Sequence, residues 1–414
     1  MKNIELLAPA GDITRLKLAI KYGADAVYLG GRFGLRAGAA LTSPNGSHED
    51  KLEEAVSYAH SHGKKVYITV NIFARNADFD QIKTYVKLLQ EIGVDAVIVS
   101  DLGVLRLVRE NTNLDIHIST QANVLNKFTA EEYVKLGAKR IILARECSLI
   151  EIKEIAAHIK NQCDIEIFVH GAMCVSYSGR CMISSYMTGR EANRGECAHP
   201  CRYKYTANFA EGSLVEEKRP SEQWGIEEDT HGTYIMNSKD LCLINHLDEL
   251  AACGITSFKI EGRMKSDYYV AATTNTYRKV MDGTKLNYIK EINKIPHRPW
   301  TTGFVFKEND HLFNGHPNSI STHDVVGMCL GYTEEGEKIL QRNVFNVGDE
   351  LEILSFGKNH NKTFKVKSIK DNRWQSVTRA NKTAEIYYIE LNDASGGNLV
   401  LEPDEFLRKE NTSL

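Results

Sequence analysis

Four cysteines fall within 28 positions, spaced Cys174-x6-Cys181-x15-Cys197-x3-Cys201. Four thiolates suit either a tetrahedral zinc ion or a 4Fe–4S cluster. Structural zinc sites usually take cysteines in CxxC pairs, because two thiolates on one tight turn grip one ion. The wider spacing here favours the separated corners of a 4Fe–4S cluster, with zinc or ordinary thiols as alternatives. Gly171, Ser176, Ser178, Gly179, Ser184, Ser185 and Gly195 are small enough to let backbone amides approach the sulfurs. Arg180, Arg190, Arg194, Arg202 and Lys204 face only Glu191 and Glu196 across 174–205. That basic stretch offsets an anionic cluster, holds phosphates or is simply solvated. The other five cysteines (Cys147, Cys163, Cys242, Cys253, Cys329) are scattered and read as ordinary thiols. In a reducing compartment nine cysteines argue against a disulfide framework.

A second group of polar residues closes a series of apolar runs. In DIHISTQAN, His117, Ser119, Gln121 and Asn123 recur at period two, so on a strand all four share one face. Turned inward, that face makes a hydrated ligand pocket; turned outward, it is a hydrogen-bonded polar surface. Asn71, Asp101, Arg145, Glu146, His170, Lys259, Glu261 and Arg263 end other runs. Carboxylates and arginines converging on one mouth suit a small carboxylate-bearing ligand held by charge-assisted hydrogen bonds. We take His117, Gln121, Asn123, Arg145, His170 and Glu261 as candidate catalytic groups. Tyr28, Arg36, Asn71, Arg180, Lys259 and Arg263 are candidate ligand-binding groups. The adjacent Arg145 and Glu146 read equally as a structural ion pair, and Tyr28, Arg36 and Asn71 equally as packing residues.

The elements that must position these side chains recur along the chain. YGADAVYLGG, IGVDAVIVSD, LGAKRIILARE and CGITSFKIEGR each join a helix-ending glycine to a β-branched run. Eight strands follow from this reading: Glu5–Ala8, Ala26–Gly30, Lys65–Asn71, Ala96–Ser100, Asp115–Gln121, Arg140–Ala144, Ile165–His170 and Ser257–Glu261. Helical patterns lie between them; Asp12 and Ser47 suit helix N-caps. Eight βα units within residues 1–282 predict a closed (β/α)8 TIM-type barrel. An open doubly wound sheet is the alternative, but no GxGxxG follows the first strand. Chemistry in such a barrel is built at the C-terminal ends of the strands.

After His170 a cysteine-rich insertion, 171–232, interrupts the last βα step; its second part, 206–232, is acidic and reads as mobile. Residues 283–320, with Pro296, Pro299 and Pro317, read as a linker. Six alternating runs then follow: VVGMCLGY, KILQRN, DELEILS, KTFKVKSI, EIYYIEL and NLVL. They predict a small β-barrel over 321–406. With 51 basic and 54 acidic residues the net charge is −3, so a nucleic acid must be met by a local basic patch. No run approaches the roughly 20 apolar residues that span a bilayer, and MKNIELLAPAGD lacks the length and cleavage site of a signal peptide. A cytoplasmic protein without membrane contact is expected.

The stretches HGAMCVSYSGRCMISSYMTGR and GECAHPCRYKY, together with ELLAPAGD, GADAVYLGG, HISTQAN and FKIEGRMKS, resemble the collagenase-like peptidase family U32, in particular its tRNA-hydroxylating branch. The resemblance covers essentially the whole chain; the C-terminal unit is also similar to the second domain of elongation factor Tu. It implies hydroxylation of the wobble uridine in a tRNA anticodon loop to 5-hydroxyuridine. It further implies a 4Fe–4S cluster, prephenate as a required metabolite and a possible paralogous family subunit as partner. Relatives in the ubiquinone pathway match cluster ligands onto Cys181 and Cys197, one adding Cys174 and the other Cys201, each with a distant fourth cysteine. This sequence keeps all four local positions. The family's older label implies a peptidase, against which stand the absence of HExxH and GxSxG. A cysteine nucleophile would need a base such as His170 or His199 beside Cys174 or Cys197. A non-catalytic cluster-bearing scaffold that binds RNA is the third reading.

Overall fold

In the computed structural model of the chain, eight parallel strands pair in sequence order and close on themselves. They are β1 (Glu5–Ala10), β2 (Ala26–Gly30), β3 (Lys65–Val70), β4 (Ala96–Val99), β5 (Asp115–Ile118), β6 (Arg140–Ile142), β7 (Asp164–Ala172) and β8 (Ser257–Ile260). β8 pairs with both β1 and β7, which completes the barrel. The structure describes residues 1, 3–34, 48–174, 176–178, 180–188, 190, 197–198, 201, 213–216, 219–225, 227–229, 232–234, 237–284, 287–306, 312–313, 320–393 and 399–411. The Ser47 cap and Arg36 lie outside these residues.

Helices α1 (Ile13–Lys21), α2 (His48–Ser61), α3 (Phe79–Ile92), α4 (Leu102–Asn111), α5 (Lys127–Lys135) and α6 (Leu149–His158) follow the first six strands in turn. α7 (Leu247–Ala252) precedes β8, and α8 (Asp267–Met281) follows it. The Asp12 carboxylate caps α1 by accepting from the Arg15 amide at 2.8 Å. Apolar strand runs such as AVYLG and AVIV are buried along their whole length, as parallel strands covered on both faces must be. Among the described residues no helix is long and apolar enough to cross a membrane.

The structure corrects the sequence reading in three places. β5 stops at Ile118 rather than Gln121, because the Ser119 hydroxyl accepts from the Gln121 amide and winds Thr120–Ala122 into a 3-10 turn. Asn123 ends that turn at φ 54°, so His117, Ser119, Gln121 and Asn123 do not share a strand face. Within the segment expected as a linker, 283–320, residues 287–306 pack into the molecule instead: Trp300–Thr301 pairs with Asp240–Cys242, which runs antiparallel to the end of β7. Ile292, Ile295 and Arg298 are buried there, and Arg298 holds Asp240 at 2.7 Å. The acidic part of the insertion carries two antiparallel hairpins, Ser213–Glu216 with Arg219–Gly225 and Glu227–Asp229 with Gly232–Tyr234.

Six antiparallel strands form the C-terminal barrel: β9 (His323–Thr333), β10 (Gly336–Gln341), β11 (Glu350–Leu354), β12 (Thr363–Lys370), β13 (Ile386–Asp393) and β14 (Phe406–Glu410). β11 pairs with both β12 and β14 and closes it. The third correction lies here: the last strand is FLRKE, not the expected NLVL. Its charged look hid it, since Phe406, Leu407 and even Arg408 are fully buried.

The two barrels share a continuous core, because Met328, Leu354 and Phe406 pack into the larger one. Eleven of the 15 residues of α8 are buried, which places it between the units. Tyr268 stacks edge-on against Phe406 at 5.6 Å, and Asn275 donates to the Ser355 carbonyl at 3.1 Å. Arg408 forms ion pairs with Glu291 and Glu352, and Lys294 reaches both carboxylates at 2.6 and 2.8 Å. Burial pushes the Glu291 carboxyl up, but Arg408 and Lys294 more than offset this and hold it at about 2. A carboxylate depressed from 4.5 contributes stability above its unfolded value and loses it as pH falls through the folded one. Glu291→Gln should therefore lower the denaturant midpoint at neutral pH, and the gap to wild type should close between pH 4.5 and 2; a gap constant across that range would contradict the assignment.

Candidate functional site

The C-terminal ends of the strands surround a cavity of about 100 Å³, room for several waters. One side of its lining is charged. Arg145 follows β6, Lys259 lies on β8, and Glu261 and Arg263 extend beyond it. Arg145 donates to Glu261 at 3.0 Å and to the Ala172 carbonyl at 3.0 Å, with its guanidinium 4.1 Å from the Phe168 ring. Gly171 makes that pairing possible: at φ 110° it brings β7 so close to β8 that an added Cβ would meet the Glu261 carbonyl oxygen at 2.7 Å. Arg263 is buried and donates to the Thr69 hydroxyl at 3.1 Å. The opposite side, from β3 and the turn after β5, is neutral: Asn71, Ser119, Thr120 and Gln121. Tyr28 lies beneath Lys259, 4.3 Å from its ammonium, and burial pushes its phenol well up. Among the described residues the lining thus carries three cations against one carboxylate, a field that attracts an anion.

Lys259 is positioned by charges deeper in the barrel. Its ammonium meets Glu166, which is fully buried, at 2.8 Å, and Glu166 meets Arg140 at 3.1 Å. Arg140 in turn pairs with Glu5 at the N-terminal end of β1. Tyr67 donates to Glu5 at 2.7 Å, and Ser257 donates to Glu5 and Glu166 at 3.0 and 3.2 Å. Burial holds the Lys259 ammonium below the ordinary lysine range although Glu166 opposes it.

The structure brings Tyr28, Asn71, Gln121, Arg145, Lys259, Glu261, Arg263 and Cys174 to this cavity and leaves other candidates outside its lining. His117 lies lower in the barrel against Tyr67, where burial and then Arg140 push its imidazole well down. His170 packs among Trp300, Tyr277 and Tyr269, and burial lowers it to about 3. Asn123 donates to the Gln121 carbonyl at 2.9 Å and serves the turn. Arg180 is exposed, 5.3 Å from the Phe73 ring. Arg145 pairs with Glu261 rather than with Glu146, whose carboxyl burial pushes up. Sequence reasoning placed Ser178 beside the cysteines without the cavity it lines, and it missed Thr69, Thr120, Phe168 and the chain of buried charges. The signal for the latter was present, because Glu5, Arg140 and Glu166 are lone charges inside apolar strand runs.

Among the described residues none of the nine cysteines forms a disulfide; Cys174 is exposed and Cys181, Cys197 and Cys201 are half-buried. Soft thiols on one excursion are the donor set that an iron–sulfur cluster or zinc takes. Among the described residues, however, no three His, Cys, Asp or Glu side chains are gathered as an ion requires. The donors fit such a group by their chemistry. No histidine among the described residues lines the cavity that Cys174 borders; the candidate base His199 lies outside the described residues.

A closed (β/α)8 barrel with a polar, cation-rich cavity at its C-terminal mouth defines the enzyme class of this fold. The chain matches peptidase family U32 over residues 11–314 and that family's C-terminal domain over residues 321–400, and it belongs to this family. It is 37% identical over 371 residues to tRNA hydroxylation protein P1 of Bacillus subtilis (strain 168), covering 85% of this chain and 84% of that one. It is 36% identical over 400 residues to tRNA hydroxylation protein P of Escherichia coli (strain K12), covering 85% and 86%. A 37% identity over 281 residues links it to the 23S rRNA 5-hydroxycytidine synthase of Escherichia coli (strain K12), covering 68% of this chain and 39% of that protein.

Glu166→Ala should leave the Lys259 charge buried without its partner and cost about 3–5 kcal/mol in denaturant unfolding. Replacing both partners with apolar residues, Glu166→Leu with Lys259→Met, should recover much of the loss, while equal stability of wild type and Glu166→Ala would show that the chain of charges holds nothing.

Proposed function

We propose that this protein hydroxylates a tRNA base, converting the wobble uridine of an anticodon loop to 5-hydroxyuridine. The observation that carries this reading is the two-sided cavity at the barrel mouth, in a chain whose relatives over most of its length are named for tRNA hydroxylation. A base in a single-stranded loop can be splayed out of its stack and received by such a cavity. The neutral side offers amides and hydroxyls to the edge of a pyrimidine. The charged side binds a small carboxylate such as prephenate, held by Arg145, Arg263 and Lys259 through charge-assisted hydrogen bonds. Glu261 fixes the Arg145 guanidinium and keeps it facing the cavity. The exposed Arg180 and Arg190 meet the phosphates of the loop.

Cys174, Cys181, Cys197 and Cys201 would hold a 4Fe–4S cluster, which when bound supplies one-electron redox chemistry beside the cavity. A paralogous family subunit would be a further partner in that assembly.

Mass spectrometry of tRNA nucleosides from a deletion strain should show loss of 5-hydroxyuridine, restored by the wild-type gene and not by Arg145→Ala. Unchanged 5-hydroxyuridine in a strain lacking every paralogue would contradict the assignment. Protein purified without oxygen should contain about four irons per chain, with iron and the visible absorbance lost together in Cys181→Ala. Zinc alone in the wild type would contradict the cluster.

A further inference from the structure

The relatives are named for tRNA and for a cytidine product, so this barrel has to admit one pyrimidine and refuse another. Uracil presents a carbonyl oxygen, an acceptor, where cytosine presents an amino group, a donor. A fixed donor at the cavity wall would separate them.

Gln121 is placed to be that donor. It lines the cavity on its neutral side and is 1% exposed. Its side-chain oxygen accepts from the Ser100 hydroxyl at 3.5 Å, and its amide Nε2 has no hydrogen-bond partner. The backbone beneath it is held firmly. The Ser119 hydroxyl accepts from the Gln121 amide at 3.3 Å and from Asn71 Nδ2 at 3.2 Å. Asn123, in the left-handed conformation that ends the turn, donates to the Gln121 carbonyl at 2.9 Å. A buried donor without a partner is costly, and a ligand that brings an acceptor removes the cost.

We propose that Gln121 sets base specificity: its Nε2 donates to O4 of uracil and opposes the N4 amino group of cytosine. With cytosine two donors face each other and both go unpaired, the arrangement by which a polar site rejects a near-isostere. This inference rests on the base-receiving cavity proposed above.

The test uses the full chain and two labelled anticodon stem-loop RNAs that differ only by U or C at the wobble position, titrated by fluorescence anisotropy. The wild type should bind the U form about tenfold more tightly. Gln121→Ala should bind both forms within about twofold of each other, and Gln121→Glu, which replaces the donor by an acceptor, should favour the C form. Thermal unfolding of each variant shows whether it is folded, and Gln121→Ala alone decides the matter if the glutamate variant is not. Equal binding of both RNAs by the wild type, or a full U preference in Gln121→Ala, would overturn the role of Gln121 and leave the RNA reading standing. Binding of neither RNA would overturn both.

Discussion

Glu5, Arg140, Glu166 and Lys259 form a chain of alternating charges from the N-terminal end of the large barrel to the floor of its cavity. The chain is neutral as a whole, and hydroxyls of Tyr67 and Ser257 satisfy further carboxylate lone pairs. Buried ions are tolerable only when paired and hydrogen-bonded in this way, and removal of one member leaves an uncompensated charge. The four residues come from β1, β6, β7 and β8, so the chain spans the seam where the last strand returns to the first. β8 reaches that seam only after the long excursion that follows β7, and complementary charges give it one place to dock.

The cavity inherits its asymmetry from that arrangement. β8 carries Lys259 and leads into Glu261 and Arg263, and with Arg145 it builds the charged side. β3 and the turn after β5 contribute only amides and hydroxyls. α8 links the second barrel to this geometry, since Tyr269 on it donates to the Glu261 carbonyl at 2.9 Å. The small barrel buries α8 from the other side through Phe406, Ser355 and Arg408. Its position therefore bears on the Arg145–Glu261 pair, although it contributes no side chain to the cavity.

Much of this was legible in the sequence. Buried β-branched runs after helix-ending glycines located four of the eight barrel strands, and apolar runs between helical patterns located the other four, because a strand covered on both faces is apolar throughout. Polar residues at the ends of those runs located most of the cavity. The period-two reading of His117 to Asn123 failed because serine and asparagine compete for the backbone, here closing a turn where a strand was expected. It still pointed to Gln121, which reaches the cavity from that turn. His170 looked catalytic as a histidine at a strand end, but the aromatic side chains around it come from α8 and Trp300, far away in sequence. The same distance hid β14, whose Arg408 is buried only because Glu291 and Glu352 meet it.

The central claim is that the barrel mouth receives a base from an RNA loop. It is tested most directly by photocrosslinking an anticodon stem-loop carrying 4-thiouridine at the wobble position to the full chain and mapping the modified peptide. The account predicts attachment within the turn after β5 or the segment just beyond β7, next to Gln121 or Cys174. Crosslinks confined to the C-terminal barrel, 323–410, would contradict it.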